Sequence, residues 1–526
     1  MRSTFHGLET SKRALFVQTT TMQTLGHNIA NANTEGYSRQ RVNVSATRPI
    51  EAIGMSKSSA PGQIGTGVQY DSITRIRDSY LDMQFRRENQ GLGSWSILDS
   101  TLRSIEGILN EPSNNGIRGV MDKFWNSWEV LNRDPALLSA RVDVVGSAVN
   151  MVDTLRHMDE SLTNVTNDLQ ANITKKVNEA NDLAQNIAQL NGIIRKAEGL
   201  GDNANDYRDQ RDLLIDKLST IVDIQVTEAP NGDVTIVAAG VEVVNGDNAT
   251  QLTDANAATA TSGQLHGYVQ SQAQVDTVRN QLNAMVQSLV TGKVTVRLEN
   301  GYVAAKDITA KNDVELENGT TIPAGTVIPA GSRVKSPIEL EVNGFNGLHE
   351  LGYSLSDPAT SGIPFFTTSD GSGTFNINNI RVNPVIVNDT SKIAAAGKYE
   401  TNNNGDNLTI KGNSDIAHAL AGLRDKAFEY PQNLTTLSKG TIDDYFRAVT
   451  GDLGVRAANT TRNMENQQNL VDSLLQRRQS VSGVSLDEEM ADMIRFQHAY
   501  NAAARNMTTV DEMLDRIINQ MGIVGR

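Results

Sequence analysis

The 526-residue chain contains no cysteine, which excludes disulfide bonds, thiolate nucleophiles and cysteine-rich zinc sites. Its seven histidines never form a His-x-x-x-His pair, and His349-Glu350 opens like a zinc-protease helix whose second histidine is missing. The sequence also lacks a Gly-x-Ser-x-Gly elbow, a Walker A motif and a Gly-x-Gly-x-x-Gly fingerprint after a strand. We therefore expect no enzyme activity, no metal site and no cofactor.

Long apolar runs and basic blocks are missing as well. No run of eighteen apolar residues occurs, so no membrane span is expected, and the N-terminus lacks the apolar core of a Sec signal peptide. The chain has 47 basic and 61 acidic residues, a net charge of −14, and no Lys/Arg-rich block, so nucleic-acid binding is not expected. Aromatic residues are only 5% of the chain, which favours long helices with narrow apolar seams over thick cores.

Both ends of the chain carry apolar residues in a seven-residue repeat, which is typical of a coiled-coil seam. The N-terminal seam consists of Leu8, Leu15, Met22, Leu25 and Ile29. The C-terminal seam consists of Met493, Phe496, Tyr500, Ala503, Met507, Val510, Leu514, Ile517 and Met521. We predict that these residues form the interface between subunits. The alternative is a pair of ordinary amphipathic helices within one globular domain.

The N-terminal helix is predicted to start near residue 4 and to stop near Ala32–Thr34, within the stretch NIANANTEGYSRQRV. We single out Asn28, Asn31, Asn33, Gly36 and Tyr37 as a helix stop joined to an extended segment: Asn33 is expected to take the left-handed cap conformation and Gly36 the turn. The C-terminal helix is predicted to start with a capping box, in which Ser485 is the N-cap and Glu488 the N3 residue, and to reach Met521.

Between the ends, the sequence predicts an α+β fold that is elongated and multi-domain, with a long helical bundle and an inserted β-rich region. A long helix over about 136–198 carries its own apolar heptads, with one shift of four residues. The charged run Tyr207–Asp212 is expected to be a solvated or intersubunit face. The predicted domains are 1–40 with 485–526 as a terminal coiled coil lining a tube, 41–222 with 414–484 as a helical bundle, 223–290 with 339–413 as the β-rich insertion, and 291–338 as a small additional β insert.

Four stretches resemble the bacterial flagellar rod, hook and hook-associated proteins. LGHNIANANTEGYSRQRV (25–42) is similar to the N-terminal motif of these axial proteins, and SVSGVSLDEEMADMIRFQHAYNAAARNMTTVDEML (480–514) to their C-terminal motif. YRDQRDLLIDKL (207–218) and HELGYSLSDPATSGIPFF (349–366) narrow the resemblance to the hook-associated proteins. Glu35 stands where axial proteins often have proline, and the 291–338 insert is a larger departure from shorter members.

The resemblance implies a non-enzymatic adaptor that forms a helical ring between hook and filament. The implied partners are further copies of the chain, the hook protein, a second hook–filament junction protein, the flagellar type III export apparatus and a cytosolic chaperone on the C-terminal region. The implied location is extracellular, at the hook–filament junction, after export without a cleaved signal peptide. Alternatives are another axial component such as the hook protein, a secreted enzyme or glycan-binding module formed by 223–413, and a phage-tail or needle-like component.

Overall fold

The computed structural model describes residues 5–49, 64–109 and 116–520, and it confirms a mixed α+β fold. Two compact units are formed from discontinuous stretches of chain. The first comprises residues 1–96, 173–267 and 463–526, and the second comprises residues 97–172 and 268–462. The predicted four-part division into domains stays a prediction.

Twelve α-helices lie within the described residues: α1 (His6–Ala30), α2 (Ser79–Leu109), α3 (Ile117–Arg133), α4 (Leu138–Gly199), α5 (Asn205–Ile221), α6 (Asp254–Ala257), α7 (Gly263–Thr291), α8 (Gly344–His349), α9 (Pro384–Asn388), α10 (Asp415–Ala421), α11 (Ile442–Ser482) and α12 (Leu486–Asp515). Short 3₁₀ helices cover Thr390–Lys392 and Gly422–Asp425, and a π-helical turn covers Arg516–Gln520. The predicted heptads of α4 are buried throughout: each of Leu155, Leu162, Leu169, Ile173, Ala180, Ile187 and Ile194 is at most 5% exposed.

The strands are short and pair antiparallel. They are β1 (Gln40–Ala46), β2 (Val68–Arg75), β3 (Ile224–Glu228), β4 (Val234–Ala238), β5 (Val241–Asn245), β6 (Asn248–Ala249), β7 (Lys293–Leu298), β8 (Ile308–Thr309), β9 (Val314–Glu315), β10 (Thr321–Ile322), β11 (Val327–Ile328), β12 (Ile338–Asn343), β13 (Tyr353–Ser354), β14 (Phe366–Thr368), β15 (Ile380–Val382), β16 (Ala394–Ala396), β17 (Tyr399–Thr401), β18 (Asn407–Thr409), β19 (Phe428–Glu429) and β20 (Lys439–Gly440). One sheet, β3-β4-β5-β6, has four strands, and the other described sheets have two.

In the first unit, α1 packs against α12 and against the β1–β2 hairpin. The hairpin pairs Gln40 with Arg75 and Ala46 with Val68, with a register shift between Asn43 and Val44. Strand β1 therefore continues the chain from the end of α1, as the alternation after Gly36 predicts.

The second unit contains an aromatic cluster, which consists of Phe124, Trp125, Trp128, Phe345, Phe365 and Phe366. His349 lies against Trp128 and Phe365 and is fully buried. Arg141 is buried in the same unit, and its guanidinium donates to the carbonyl oxygens of Pro135 and Ile393 at 2.7–3.0 Å. Burial lowers the pKa of Arg141 to about 10.

The 291–338 insert is built on a two-stranded ribbon, β7 with β12, in which Lys293 faces Asn343. Beyond the ribbon the same kind of hydrogen bond, from an alanine amide to an aspartate side chain, occurs twice, and the two alanines are six positions apart. Asp313 accepts a hydrogen bond from the Ala324 amide, and Asp307 accepts one from the Ala330 amide, at 2.8 and 2.9 Å. The two IPAG turns of the sequence are thus held by the same carboxylate device.

Several predicted boundaries are wrong in detail. Helix α1 ends at Ala30, earlier than predicted, and its C-cap Asn31 has φ −101°. Among the described non-glycine residues Ala239 is the one with positive φ, so Asn33 is not left-handed, whereas Gly36 has φ +82° as the turn requires. Within the predicted β-rich insertion, strand β15 ends at Val382, because Pro384 starts helix α9.

Candidate functional site

The two chain ends form an antiparallel helix pair within the first unit. Asn506 Nδ2 donates to Ser11 Oγ at 2.9 Å near one end of the pair. Asn28 Nδ2 donates to Glu489 Oε2 at 2.8 Å near the other end. Asn506 is exposed, whereas Asn28 and Glu489 are both fully buried. A shifted register would leave the buried Asn28–Glu489 pair without its partners, so this pair is the contact that specifies how α1 and α12 align.

The most buried positions of α1 are mainly polar or small. They are Ser11, Val17, Thr21, Thr24, Leu25 and Asn28. Of the predicted N-terminal seam, only Leu25 is fully buried, while Leu8, Leu15, Met22 and Ile29 are half-buried. The apolar seam of α1 therefore lies next to, and mostly outside, the helix face that the rest of the same chain buries.

The predicted C-terminal seam has the same character. Its half-buried members are Met493, Phe496, Tyr500, Ala503, Met507 and Val510. Leu514 is buried, Ile517 is exposed in the π-helical turn, and Met521 lies outside the described residues. Helix α12 ends as an α-helix at Asp515, which is earlier than predicted.

The side chain of Asn28 is fully buried and uses all of its hydrogen-bonding capacity. Nδ2 donates to the Gln40 carbonyl at 2.9 Å as well as to Glu489, and Oδ1 accepts from the Gln40 amide at 3.0 Å and from the Tyr37 hydroxyl at 2.8 Å. Asn28 therefore binds the first residue of β1 as a neighbouring strand would. Asparagine side chains compete with the backbone hydrogen bonds of a helix, which disfavours them inside helices. At Asn28 this competition costs little, because α1 ends at Ala30, within one turn.

Glu489 is the fully buried acceptor of this arrangement. Its Oε1 lies 2.6 Å from Arg39 Nε, and Glu488 Oε2 lies 3.0 Å from Arg39 Nη1. The Arg39 amide also donates to the Ser482 carbonyl at 2.8 Å. We call Asn28, Tyr37, Arg39, Gln40 and Glu489 the terminal latch, since together they connect the end of α1, the start of β1 and the start of α12.

The predicted capping box is wrong in its side-chain contacts. Ser485 is the N-cap residue of α12, as predicted, but its hydroxyl makes no capping hydrogen bond. Glu488 binds Arg39, and the adjacent Glu489 enters the latch, so the acidic first turn is used for a tertiary contact and not only for the helix dipole.

The other residues of the asparagine stretch lie nearer the surface. Asn31 is half-buried and donates to the His27 carbonyl at 3.1 Å, and Asn33 is exposed on the turn. A Cβ at Gly36 would lie 3.0 Å from Leu213 Cβ, so this position requires glycine both for its φ and for its close approach to α5. Burial, followed by nearby acidic groups, raises the pKa of Tyr37.

A buried network of arginine and aspartate side chains continues from the latch. Its members are Arg75, Arg77, Arg86, Arg478, Asp82, Asp209, Asp212 and Asp216, and their closest pairs are separated by 2.6–3.0 Å. Asp209 also accepts a hydrogen bond from the Ser38 amide at 2.8 Å. The network ties β2, α2, α5 and α11 together.

The expectation of a solvated or intersubunit face for Tyr207–Asp212 is wrong for its inner members, since Asp209 and Arg211 are buried. Burial raises the pKa of Asp209 despite the charge of Arg75. Burial also opposes ionisation of Asp212, but the charges of Arg77, Arg75 and Arg86 outweigh it and lower the pKa of Asp212. Alternating charges on a helix do not reveal that arginines from distant segments complement them.

Sequence reasoning missed Arg39, Gln40 and Glu489 as members of the site. The SRQ triplet and the acidic start of α12 were visible, but Asn28 and Glu489 are 461 positions apart. Among the described residues, no helix is long and apolar enough to cross a membrane.

Two protein families match parts of this chain, and one of them includes helix α12 of the helix pair. Residues 475–521, which include α12, match the family described as "Flagellar basal body rod FlgEFG protein C-terminal", so this helix belongs to a class of bacterial flagellar proteins. Residues 102–264 match the family described as "Flagellar hook-associated protein FlgK helical domain". The chain belongs to the flagellar hook-associated protein 1 family, and it is a structural component of the flagellum.

The curated relatives match this chain over 95–100% of its length. Flagellar hook-associated protein 1 of Bacillus subtilis (strain 168) is 34% identical over 100% of both chains. The Salmonella typhimurium protein of the same name is 24% identical over 95% of this chain and 96% of that one. A solved structure, the flagellar hook junction protein FlgK from Burkholderia pseudomallei, covers 76% of this chain and 100% of its own at a TM-score of 0.49 and 14% identity. The 34% identity to the Bacillus subtilis protein over the full length confirms the resemblance found in the sequence.

Proposed function

We propose that this chain joins hook to filament as a helical ring, held together by its terminal helices over about residues 4–33 and 486–521. The observation that supports this is the half-exposed state of the predicted seams. In α4 the same heptad spacing is covered almost completely within one chain. In α1 and α12 most of the repeat is only partly covered, although the two helices pack against each other.

Partly covered apolar seams suit a lattice better than a dimer. Burial of a few hundred Å² at about 25 cal/mol per Å² gives several kcal/mol per contact, before the cost of ordering the subunits. A single contact of this size is weak, but contacts repeated around a ring reinforce one another. Isolated subunits should therefore associate weakly, and a growing tube should hold them firmly.

The proposal includes partners and a route. The ring would contact the hook protein on one side and a second junction protein on the other. The chain would leave through the flagellar type III apparatus without a cleaved signal peptide, and a cytosolic chaperone would cover the C-terminal region beforehand. The half-exposed seam of α12 supports the chaperone, because such a surface needs cover in the cytosol. In this proposal the chain has a structural role and catalyses no reaction.

Met507→Glu is expected to permit export and to block filament attachment, because it places a charge in a seam that neighbouring copies bury. The measurement is the fraction of cells with filaments, together with the amount of exported chain, in a strain that lacks its own copy. Thr508→Glu is the matched control, since Thr508 is exposed on the same turn. Normal filaments in the Met507→Glu strain would remove Met507 from the interface.

The same deletion strain separates this proposal from its nearest alternative. Loss of a junction protein leaves hooks intact and releases filament subunits to the medium, whereas loss of a hook protein removes the hooks themselves. Electron microscopy of the cells and immunoblotting of the medium measure both. Missing hooks would favour the alternative of a hook component.

Hydrogen exchange should distinguish free from assembled chains. Amides of α1 and α12 are expected to exchange faster in the monomer than in the ring, since the neighbours that complete the seams are absent. The amides of α4 in the second unit, around Leu155 and Leu162, serve as an internal reference because they are covered within one chain. Equally strong protection of both chain ends in the monomer would count against the proposal.

A further inference from the structure

A groove of about 660 Å³ lies between α1 and the β1–β2 hairpin in the first unit. Its floor is apolar and includes Leu15, Phe16 and Val68. Phe16 is 61% exposed and its ring centre lies 5.8 Å from that of Tyr70, so two aromatic rings stand together at the surface. Exposed aromatic pairs beside a concave apolar surface are typical of sites that anchor a partner.

Of the described residues that line the groove, the two with charged side chains are both basic. They are Lys12 and Arg13, at its rim. Glu9, one turn earlier on α1, lies 3.8 Å from Lys12 and 3.4 Å from Arg13, so it offsets only one of the two charges. The groove therefore fits an apolar segment that carries acidic residues.

The end of the same chain has that chemistry. Residues 511–518, which we call the tip, expose Met513, Ile517 and Ile518, the last at 66%. The tip also carries Asp511, Glu512 and Asp515 against the single basic residue Arg516. Leu514 is buried and holds the tip to the rest of its own chain. The π-helical turn from Arg516 to Gln520 ends the regular helix here.

A tip cannot fill the groove of its own chain. Antiparallel pairing sets Val510 beside Gly7, where a Cβ would lie 3.2 Å from it. Tyr500 lines the groove, and Met513 is thirteen positions further along α12, which corresponds to about 20 Å of helix. The tip thus lies beyond the groove along the helix pair, so a tip that occupies the groove comes from another copy.

We propose that the tip of one copy docks into the groove of the next, with Met513, Ile517 and Ile518 on the apolar floor and the tip carboxylates beside Lys12 and Arg13. This contact joins two different surfaces, so repeating it gives a ring or a helical assembly and not a closed dimer. The inference rests on the proposed function, and it names one contact that sets the stacking of copies along the tube.

Single cysteines test the contact, because the natural chain has none. Lys12→Cys and Asp515→Cys are expressed as separate chains in a strain that lacks its own copy, and purified flagella are treated with a short bis-maleimide. A cross-linked dimer is expected only when both variants are present. Gln23→Cys, exposed on α1 away from the groove, replaces Lys12→Cys as the matched control and should give no dimer with Asp515→Cys.

The outcomes separate this inference from the proposed function. Attached filaments without the Lys12–Asp515 dimer would overturn the docking contact and leave the junction function intact. A cross-link from Lys12→Cys to Ser58→Cys within one chain, in place of the dimer, would assign the groove to residues 50–63 and also overturn the contact. Failure of the unaltered chain to restore filaments would refute the function itself, and this inference with it.

Charge reversal provides a second measurement. Lys12→Glu with Arg13→Glu is expected to reduce the fraction of filamented cells at least about tenfold, and adding Asp511→Lys with Asp515→Lys should restore it to within about twofold. Rescue requires that the two surfaces meet, so a simple folding defect in either pair cannot produce it. Absence of rescue, with both proteins exported at normal levels, would contradict the proposed contact.

Discussion

Asn28→Ala is expected to destabilise the terminal helix pair by about 3–5 kcal/mol, which is the range for breaking a buried, charged hydrogen-bond network. The substitution removes four hydrogen bonds at once. It leaves the amide and carbonyl of Gln40 without their side-chain partner, and it leaves the buried carboxylate of Glu489 dependent on Arg39 alone. No water can easily replace the lost amide, since the site is fully buried.

Native-state hydrogen exchange measures this loss locally. Protection factors of α12 amides after Glu489 should fall about a hundredfold or more, since 1.4 kcal/mol corresponds to a factor of ten. Asn33→Ala is the matched control from the same stretch: Asn33 is exposed on the turn, so its replacement should change stability by less than about 0.5 kcal/mol. Equal effects of the two substitutions would show that the latch does not hold the chain ends together.

A double-mutant cycle shows whether Asn28 acts through Glu489. Glu489→Gln keeps the size of the side chain and an acceptor for Asn28, but it removes the charge that pairs with Arg39. If the latch is one network, Asn28→Ala and Glu489→Gln together should cost less than the sum of the two single changes, with a coupling of about 1–3 kcal/mol. Additive effects would indicate independent contacts.

The sequence predicted the parts of this fold that depend on local periodicity. The heptads of α4 are buried as their spacing requires, and the turn at Gly36 leads into β1 as the alternation of residues 37–42 indicates. Local chemistry also located the start of α12 at Ser485. These features depend on neighbours a few positions apart, and the sequence contains them directly.

The latch and the arginine–aspartate network could not be predicted in this way. Asn28 is a poor helix former near a helix end, which explains its position but does not identify Glu489 as its partner. The network joins Arg75 and Arg478 to aspartates of α2 and α5, and burial there depends on long-range packing. In the same way, the position of Glu488 in the sequence predicts a capping role, but in the fold Glu488 binds Arg39, which is far away in sequence. When the local sequence allows a side chain several interactions, its partner in the tertiary structure determines which of them forms.

The buried histidine of the second unit gives the other large expected effect. His349 Nδ1 donates to the Ile363 carbonyl at 2.7 Å, and Nε2 accepts from the Ala394 amide at 2.9 Å, so both ring nitrogens are used by the neutral form. Burial, with a smaller contribution from the charge of Arg141, lowers the pKa of His349 to about 4. In the unfolded chain its pKa is about 6.5.

Stability should therefore depend on pH between about 6.5 and 4. Above 6.5 neither state binds the proton, and the full stability is present. As the pH falls through this window, the unfolded chain takes up a proton that the folded chain cannot accept, so the second unit loses about 3 kcal/mol by pH 4. The histidine thus makes the second unit sensitive to acid even before its carboxylates are protonated.

Urea unfolding followed by tryptophan fluorescence measures this loss, because Trp125 and Trp128 belong to the cluster around His349. Trp95→Phe in every variant removes the remaining tryptophan, which lies in the first unit. His349→Gln is expected to be less stable at pH 7.5, since it keeps at most one of the two hydrogen bonds, but its loss of stability between pH 6.5 and 4 should be smaller by about 3 kcal/mol. His157→Gln, at an exposed position of α4, should retain the pH dependence of the parent. If His349→Gln and the parent lose stability in parallel, other groups cause the acid sensitivity, and His349 takes up its proton as readily in the folded chain as in the unfolded chain.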